Sequence, residues 1–149
     1  MNKLTLLKTL AFKNIPVYVH YGITHRCNLR CRMCGVWKTG DQSTELTTPQ
    51  IEKMADVLSR IGTQVISIGG GEPLQRDDLP EAAGFFLKKN ISVRVLTNGV
   101  IPDYKKLQAV IDAGVFNFSI SLDTLDPKLQ NDIIGRPDAY KIIKTATTI

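Results

Sequence analysis

Four short runs of mostly apolar, often β-branched residues, at 15–24, 65–68, 91–96 and 115–122, alternate with stretches whose apolar residues recur every three or four positions. That alternation leaves few folds open. Short buried strands separated by amphipathic helices pair in parallel through helical crossovers, so the pattern predicts an α/β fold. The expected sheet is parallel, with right-handed crossovers and helices on its outer side. Thr48 and Pro49 open one helix, whose stripe is Ile51, Met54, Ala55, Leu58 and Ile61, and Gly62 ends it. A second starts at about Asp78 and carries Leu79, Ala82, Ala83, Phe86 and Leu87 on its inner face. A third, from about Asp103 to Ala113, carries Tyr104, Leu107, Val110 and Ile111, with Gly114 as its cap. Asp126 and Pro127 open another, Gly135 to Pro137 break it, and a last one begins at Asp138 and still runs at Ile149. The polar segment 35–47 reads as a loop over one end of the sheet.

The chain has 149 residues, 43% apolar and 22% charged, the balance of a globular domain with one core. No apolar stretch approaches the ~20 residues of a spanning helix. Lys8 interrupts the N-terminal apolar residues and no small-residue cleavage site follows, so the expected compartment is the cytosol. Residues 1–14 form a lead-in segment, with Leu4, Leu7, Leu10 and Ala11 as a short helical stripe, and 15–149 form the domain. The net charge is +5, and seven basic residues with no acidic one fall in the first 38 positions. Positive charge therefore surrounds the three cysteines, Cys27, Cys31 and Cys34, the only ones in the chain.

In α/β sheets of this kind ligand chemistry gathers at the carboxyl ends of the strands. Each unusual motif here lies at such an end. The cysteines follow the first strand, Gly69-Gly70-Gly71-Glu72-Pro73 the second, Thr97-Asn98-Gly99 the third, and Ser121-Leu122-Asp123 closes the fourth. An odd number of thiols within eight residues is no disulfide framework. The spacing C-x3-C-x2-C instead suits a soft metal centre, and the neighbouring arginines favour thiolate. Three ligands serve either an iron-sulfur cluster with one open iron, or zinc completed by His25 or His20. A redox Cys31-Arg32-Met33-Cys34 pair is a further reading, against which Cys27 counts.

Cys27-Asn28-Leu29-Arg30-Cys31-Arg32-Met33-Cys34 resembles the cluster-binding motif of radical S-adenosylmethionine (radical SAM) enzymes, and Gly70-Gly71-Glu72-Pro73 resembles their GGEP motif. Thr97-Asn98-Gly99 and Ser119 to Asp123 are similar to that family's later strand ends. The nearest group is that of molybdenum-cofactor cyclases and peptide- or cofactor-maturing enzymes. The resemblance implies a partial TIM-type barrel, of which four βα units of an expected six are present, so the chain reads as an incomplete core or a fragment. The stripe within residues 1–14 reads as a lead-in helix covering the barrel bottom, with a membrane-surface helix as the alternative. The resemblance implies that Cys27, Cys31 and Cys34 hold a 4Fe-4S cluster whose fourth iron is chelated by S-adenosyl-L-methionine. Reductive cleavage of that cofactor would give a 5′-deoxyadenosyl radical for hydrogen abstraction from an unknown substrate. The cofactor-binding residues implied are Met33, Gly70, Gly71, Glu72, Thr97, Asn98 and Ser121. Met33 stands where the family often has an aromatic residue at adenine, and Glu72 would accept from the cofactor's ammonium.

The same resemblance implies an electron donor such as a flavodoxin or ferredoxin, received by Arg26, Arg30 and Arg32, which otherwise read as solvated surface. The missing C-terminal portion, as a separate chain, is a further expected partner. Nucleic acid is not, since no recognisable binding module accompanies the charge. The alternative of another class is a non-catalytic zinc- or cluster-binding module of Cys27, Cys31, Cys34 and His25, or an inactive fragment. His20 reads as an ordinary strand histidine, and Trp37 as a packing anchor for the cysteine loop.

Overall fold

The structure is a computed structural model that describes residues 15–39, 41–101 and 104–147. Four strands, β1 (Tyr18–Thr24), β2 (Val65–Gly70), β3 (Ser92–Thr97) and β4 (Phe118–Ile120), form one sheet in the order β1-β2-β3-β4. Every neighbouring pair is parallel, with Tyr18 opposite Val65, Val65 opposite Ser92, and Val95 opposite Phe118. The connections hold α1 (Val36–Thr39), α2 (Thr48–Ile61), α3 (Leu79–Lys88), α4 (Tyr104–Asp112), α5 (Pro127–Ile134) and α6 (Ala139–Ala146). This is the α/β fold the periodicity predicts, and its run of βα units is consistent with the partial TIM-type barrel that the resemblance implies.

Local chemistry explains the helix ends. Pro49 sits in the first turn of α2, where its missing N–H costs nothing, and Gly62 takes the left-handed conformation at φ 93° that closes the helix. Gly135 closes α5 in the same way at φ 74°. The main core lies between sheet and helices, with Ile66, Ile68, Val93 and Val95 against Ile51, Ala55, Leu79 and Phe86. Burying a side chain such as Phe86, which is 0% exposed, contributes about 1.5–3 kcal/mol. A second cluster of Leu29, Val100, Ile134, Ala139 and Ile143 packs the cysteine loop against α5 and α6.

Several expectations need correction. β4 spans three residues and not 115–122, because only β3 pairs with it and the chain beyond turns toward Gln130. The Gln130 Oε1 accepts the N–H groups of Asp123 and Thr124 at 3.1 and 3.0 Å. Segment 35–47 is not bare loop, since it holds α1 and a 3-10 turn at Gln42–Thr44. Another 3-10 turn, Pro73–Gln75, follows the glycine run. Ile61 and Tyr104 are exposed, at the ends of their stripes where the core has run out. The last helix ends at Ala146, with Thr147 as its cap, and Ile149 lies outside the described residues, as does the lead-in segment 1–14.

A part-buried ion pair ties the carboxyl end of the sheet together. Arg76 donates from Nε to Asp78 Oδ1 at 2.7 Å, and from its first terminal nitrogen to the carbonyls of Ile23 and Leu46, both at 3.0 Å. Thr48 Oγ1 donates to Asp78 Oδ2 at 2.7 Å. Arg76 holds the Asp78 carboxyl down at about 2, below its usual 3.8. A depressed folded value means the stabilisation is present above the unfolded pKa and is lost as pH falls from about 4 toward 2. Asp78→Asn is therefore expected to cost about 2 kcal/mol at neutral pH in urea denaturation, and to flatten the acid limb of the stability curve.

Candidate active site

The strand ends converge on one cavity of about 190 Å³. Cys27, Cys31 and Cys34 all line it, together with Gly71, Asn98, Ser121 and Asp123. Leu29, Val36 and Ile134 supply an apolar wall. Loops after β1, β2, β3 and β4 thus each contribute, as the sequence predicts for a single shared site.

The cysteine loop is held by backbone bonds and by its own aromatic residue. Arg32 N–H donates to Ile133 O at 2.9 Å, and Trp37 Nε1 donates to Cys31 O at 3.2 Å, so Trp37 anchors the loop by a hydrogen bond as well as by packing. Arg30 stacks 5.3 Å from the Trp37 ring centroid and donates to the carbonyls of Cys27 and Leu29, both at 2.9 Å. Arg26 pairs with Glu45 at 3.5 Å and Arg32 with Asp132 at 2.7 Å. The arginines therefore shape the loop. Burial pushes Cys27 and Cys31 up from the usual thiol value, contrary to the expectation of favoured thiolate.

The glycine run is explained by backbone crowding. A Cβ on Gly70, which has φ 125°, would lie 2.3 Å from Thr24 O, and one on Gly71 would lie 2.2 Å from Arg26 O. Gly71 N–H donates to Thr24 O at 2.7 Å and Glu72 N–H to Arg26 O at 2.8 Å, which welds this run to the segment leading into Cys27. Glu72 itself is 1% exposed and does not line the cavity. Its Oε1 accepts Leu74 N–H at 3.2 Å and the Thr97 hydroxyl at 3.0 Å, and its Oε2 accepts Asn98 N–H at 2.8 Å. Burial pushes the Glu72 carboxyl up, against these three donors. Thr97 is likewise buried behind the cavity wall.

Of the seven cofactor-binding candidates, Met33, Gly71, Asn98 and Ser121 line the cavity, whereas Glu72 and Thr97 are buried behind it and Gly70, which is exposed, does not line it. Met33 is 66% exposed at the rim. His25 does not join the thiols, since its Nδ1 lies 3.0 Å from Asp41 O. Among the described residues no three His, Cys, Asp or Glu side chains converge closely enough to hold one metal ion. Three thiols lining one cavity are a soft donor set of the kind that holds an iron-sulfur cluster.

Three residues with supporting roles escape the sequence patterns. Asn28 binds Val100 O at 2.7 Å, and its only signal is an amide inside the C-x3-C span. Glu45 accepts from Thr24 Oγ1 at 2.7 Å and His25 N–H at 2.9 Å across a long loop. Asp123 ends a noticed motif, and only the geometry puts it at the cavity.

A parallel βα sheet with three cysteines gathered in one cavity at its carboxyl edge defines a barrel-type α/β protein with a cysteine-lined site. The chain belongs to the radical SAM superfamily, which it matches over residues 21–149. It is 39% identical over 118 residues to a probable GTP 3′,8-cyclase of Methanococcus aeolicus, covering 76% of this chain and 39% of that protein. It is 31% identical over 128 residues to the PqqA peptide cyclase of Bradyrhizobium diazoefficiens, covering 85% of this chain and 34% of that protein. The structure of Streptococcus suis SuiB bound to S-adenosylmethionine superimposes with a TM-score of 0.72 at 22% identity, over 97% of this chain and 33% of that one. These relatives place it in the cyclase and peptide-maturase group of the family. The family is one of enzymes and implies S-adenosylmethionine and an iron-sulfur cluster. The chain spans about a third to two fifths of the length of these relatives. No helix among the described residues is long and apolar enough to cross a membrane.

Proposed function

We propose that residues 15–149 form the cofactor-binding part of a radical SAM enzyme, in which Cys27, Cys31 and Cys34 hold a 4Fe-4S cluster. The observation that carries this reading is the single cavity that all three cysteines share with Gly71, Asn98 and Ser121. Bound there, the cluster and S-adenosyl-L-methionine would supply, by reductive cleavage of the sulfonium C–S bond, a 5′-deoxyadenosyl radical that abstracts hydrogen from a substrate. The chain's own residues bind, orient and dry the site. Gly71 presents backbone without a Cβ, and Ser121, whose N–H donates to Thr97 O at 3.0 Å, offers its hydroxyl at the cavity. Met33 offers a polarizable side chain to adenine at the rim. Glu72 acts from behind, fixing the positions of Thr97 and Asn98, while Gly70 holds the run against Thr24. Leu29, Val36 and Ile134 exclude water from the thiolates. A small donor protein of the flavodoxin or ferredoxin type would supply the electron.

Anaerobic reconstitution tests the proposal. The expected result is about four irons per chain, an EPR signal on reduction, and release of 5′-deoxyadenosine from S-adenosylmethionine. Cys27→Ala should remove most of the iron and the signal together. A chain that binds about one zinc and no iron, with Cys27 dispensable, overturns the reading.

A further inference from the structure

Asn98 presents an amide N–H to the sulfur of Cys27, and three hydrogen bonds fix which way that amide faces. Val100 N–H donates to Asn98 Oδ1 at 2.8 Å. Only an oxygen can accept there, so the amide nitrogen must lie on the opposite side. From that side Nδ2 donates to Asn28 Oδ1 at 2.8 Å and reaches Cys27 Sγ at 3.9 Å. Asn28 Nδ2 in turn donates to Val100 O at 2.7 Å. The bonds close a ring from Val100 to Asn98, from Asn98 to Asn28, and from Asn28 back to Val100. Each member donates once and accepts once, so all three bonds polarise in one sense. The Asn98 main chain is pinned as well, through its N–H to Glu72 Oε2 at 2.8 Å. An amide nitrogen carries two protons, and the ring uses one. The other is left for Cys27, whose sulfur also receives Leu29 N–H at 3.4 Å.

We infer that the ring of Asn28, Asn98 and Val100 holds an N–H donor on the Cys27 sulfur and thereby sets the reduction potential of the cluster that Cys27 ligates. The inference rests on the proposed cluster site and assigns Asn98 a positioning and tuning role that its place after β3 does not reveal. One electron enters the cluster and no bond forms or breaks. The added negative charge is shared with the thiolate sulfurs, so a donor aimed at one of them favours the reduced state. Without it the cluster is harder to reduce.

The test is a redox titration of the reconstituted full chain, followed by EPR and visible absorbance with no substrate present. Asn98→Ala removes the donor. Asn98→Asp keeps an acceptor for Val100 N–H and puts no N–H on the sulfur side. Both are expected to keep their iron and to lower the midpoint, so that the reduced-to-oxidised ratio at a fixed poise falls about tenfold, ~59 mV for a one-electron couple. Asn28→Ala, which frees the amide and leaves Asn98 in place, is expected to shift the midpoint less and in the same direction. An unchanged midpoint in both Asn98 variants with iron retained overturns the inference and leaves the cluster reading standing. Loss of iron in all three variants also overturns it, since a contact that tunes a ligand does not decide whether the cluster is held. A wild-type chain that takes up no iron removes both.

Discussion

Alanine at position 71 is expected to lower stability by at least about 3 kcal/mol and the melting temperature by about 10 °C. The added Cβ would lie 2.2 Å from Arg26 O, 2.7 Å from Arg26 C and 2.9 Å from His25 O, all backbone atoms that no rotamer change can move. Relief requires pushing the segment before Cys27 outward. That movement stretches the bonds from Gly71 N–H to Thr24 O and from Glu72 N–H to Arg26 O, at 2.7 and 2.8 Å, so the packing cost and the hydrogen-bond cost arrive together. It also displaces Cys27, one residue beyond Arg26, and the variant should take up less iron than the wild type under the same reconstitution. Gly84→Ala is the control of opposite sign. It lies within α3 with nothing within 4 Å of its would-be Cβ, so alanine there should stabilise by about 0.5–1 kcal/mol. Urea denaturation of the two variants beside the wild type checks both. A Gly71→Ala chain as stable as wild type would mean that the loop after β1 is not welded to the glycine run.

Periodicity made the strands and helices legible because each is a local pattern, and the strand-end rule then told where the cysteines, the glycines, Thr97 to Gly99 and Ser121 to Asp123 would meet. What stayed hidden depends on partners far away in the chain. The expected eight residues of the fourth strand reduce to Phe118–Ile120, and beyond it Gln130, on α5, captures the N–H groups of Asp123 and Thr124. The glycine run reads from sequence as room for a cofactor, whereas the crowding comes from Thr24 and Arg26, some 45 residues earlier. The arginines look like a basic collar on the thiols until Glu45 and Asp132 are seen to pair with two of them. The ring through Asn28, Asn98 and Val100 joins residues 70 apart, and no spacing rule contains it. Composition and motif thus identify the chemistry of the site, while the contacts that aim its side chains are set by tertiary packing.

Glu72→Ala is expected to cost about 3–5 kcal/mol, although the side chain touches no cavity. Leu74 N–H, Asn98 N–H and the Thr97 hydroxyl would lose their acceptor at a place where the carboxylate is 1% exposed, so water cannot readily replace it. Glu72→Gln separates charge from shape. Its amide oxygen can still accept from Leu74 and Thr97, but its amino group then opposes Asn98 N–H, a donor facing a donor, at a cost of about 1–2 kcal/mol. The pH dependence supplies the sign. Burial raises the folded carboxyl above its usual 4.5, so the stability it contributes is fully present below the unfolded value and is lost as pH rises through the folded one. Glutamine does not titrate. The gap in stability between wild type and Glu72→Gln should therefore be widest in acid and narrow as pH rises, measured by urea denaturation at steps from about pH 4 to 8. A gap that widens with pH would mean that the three donors outweigh burial and hold Glu72 as an anion. In that case Asn98 N–H, and with it the amide that faces Cys27, is fixed by a buried charge.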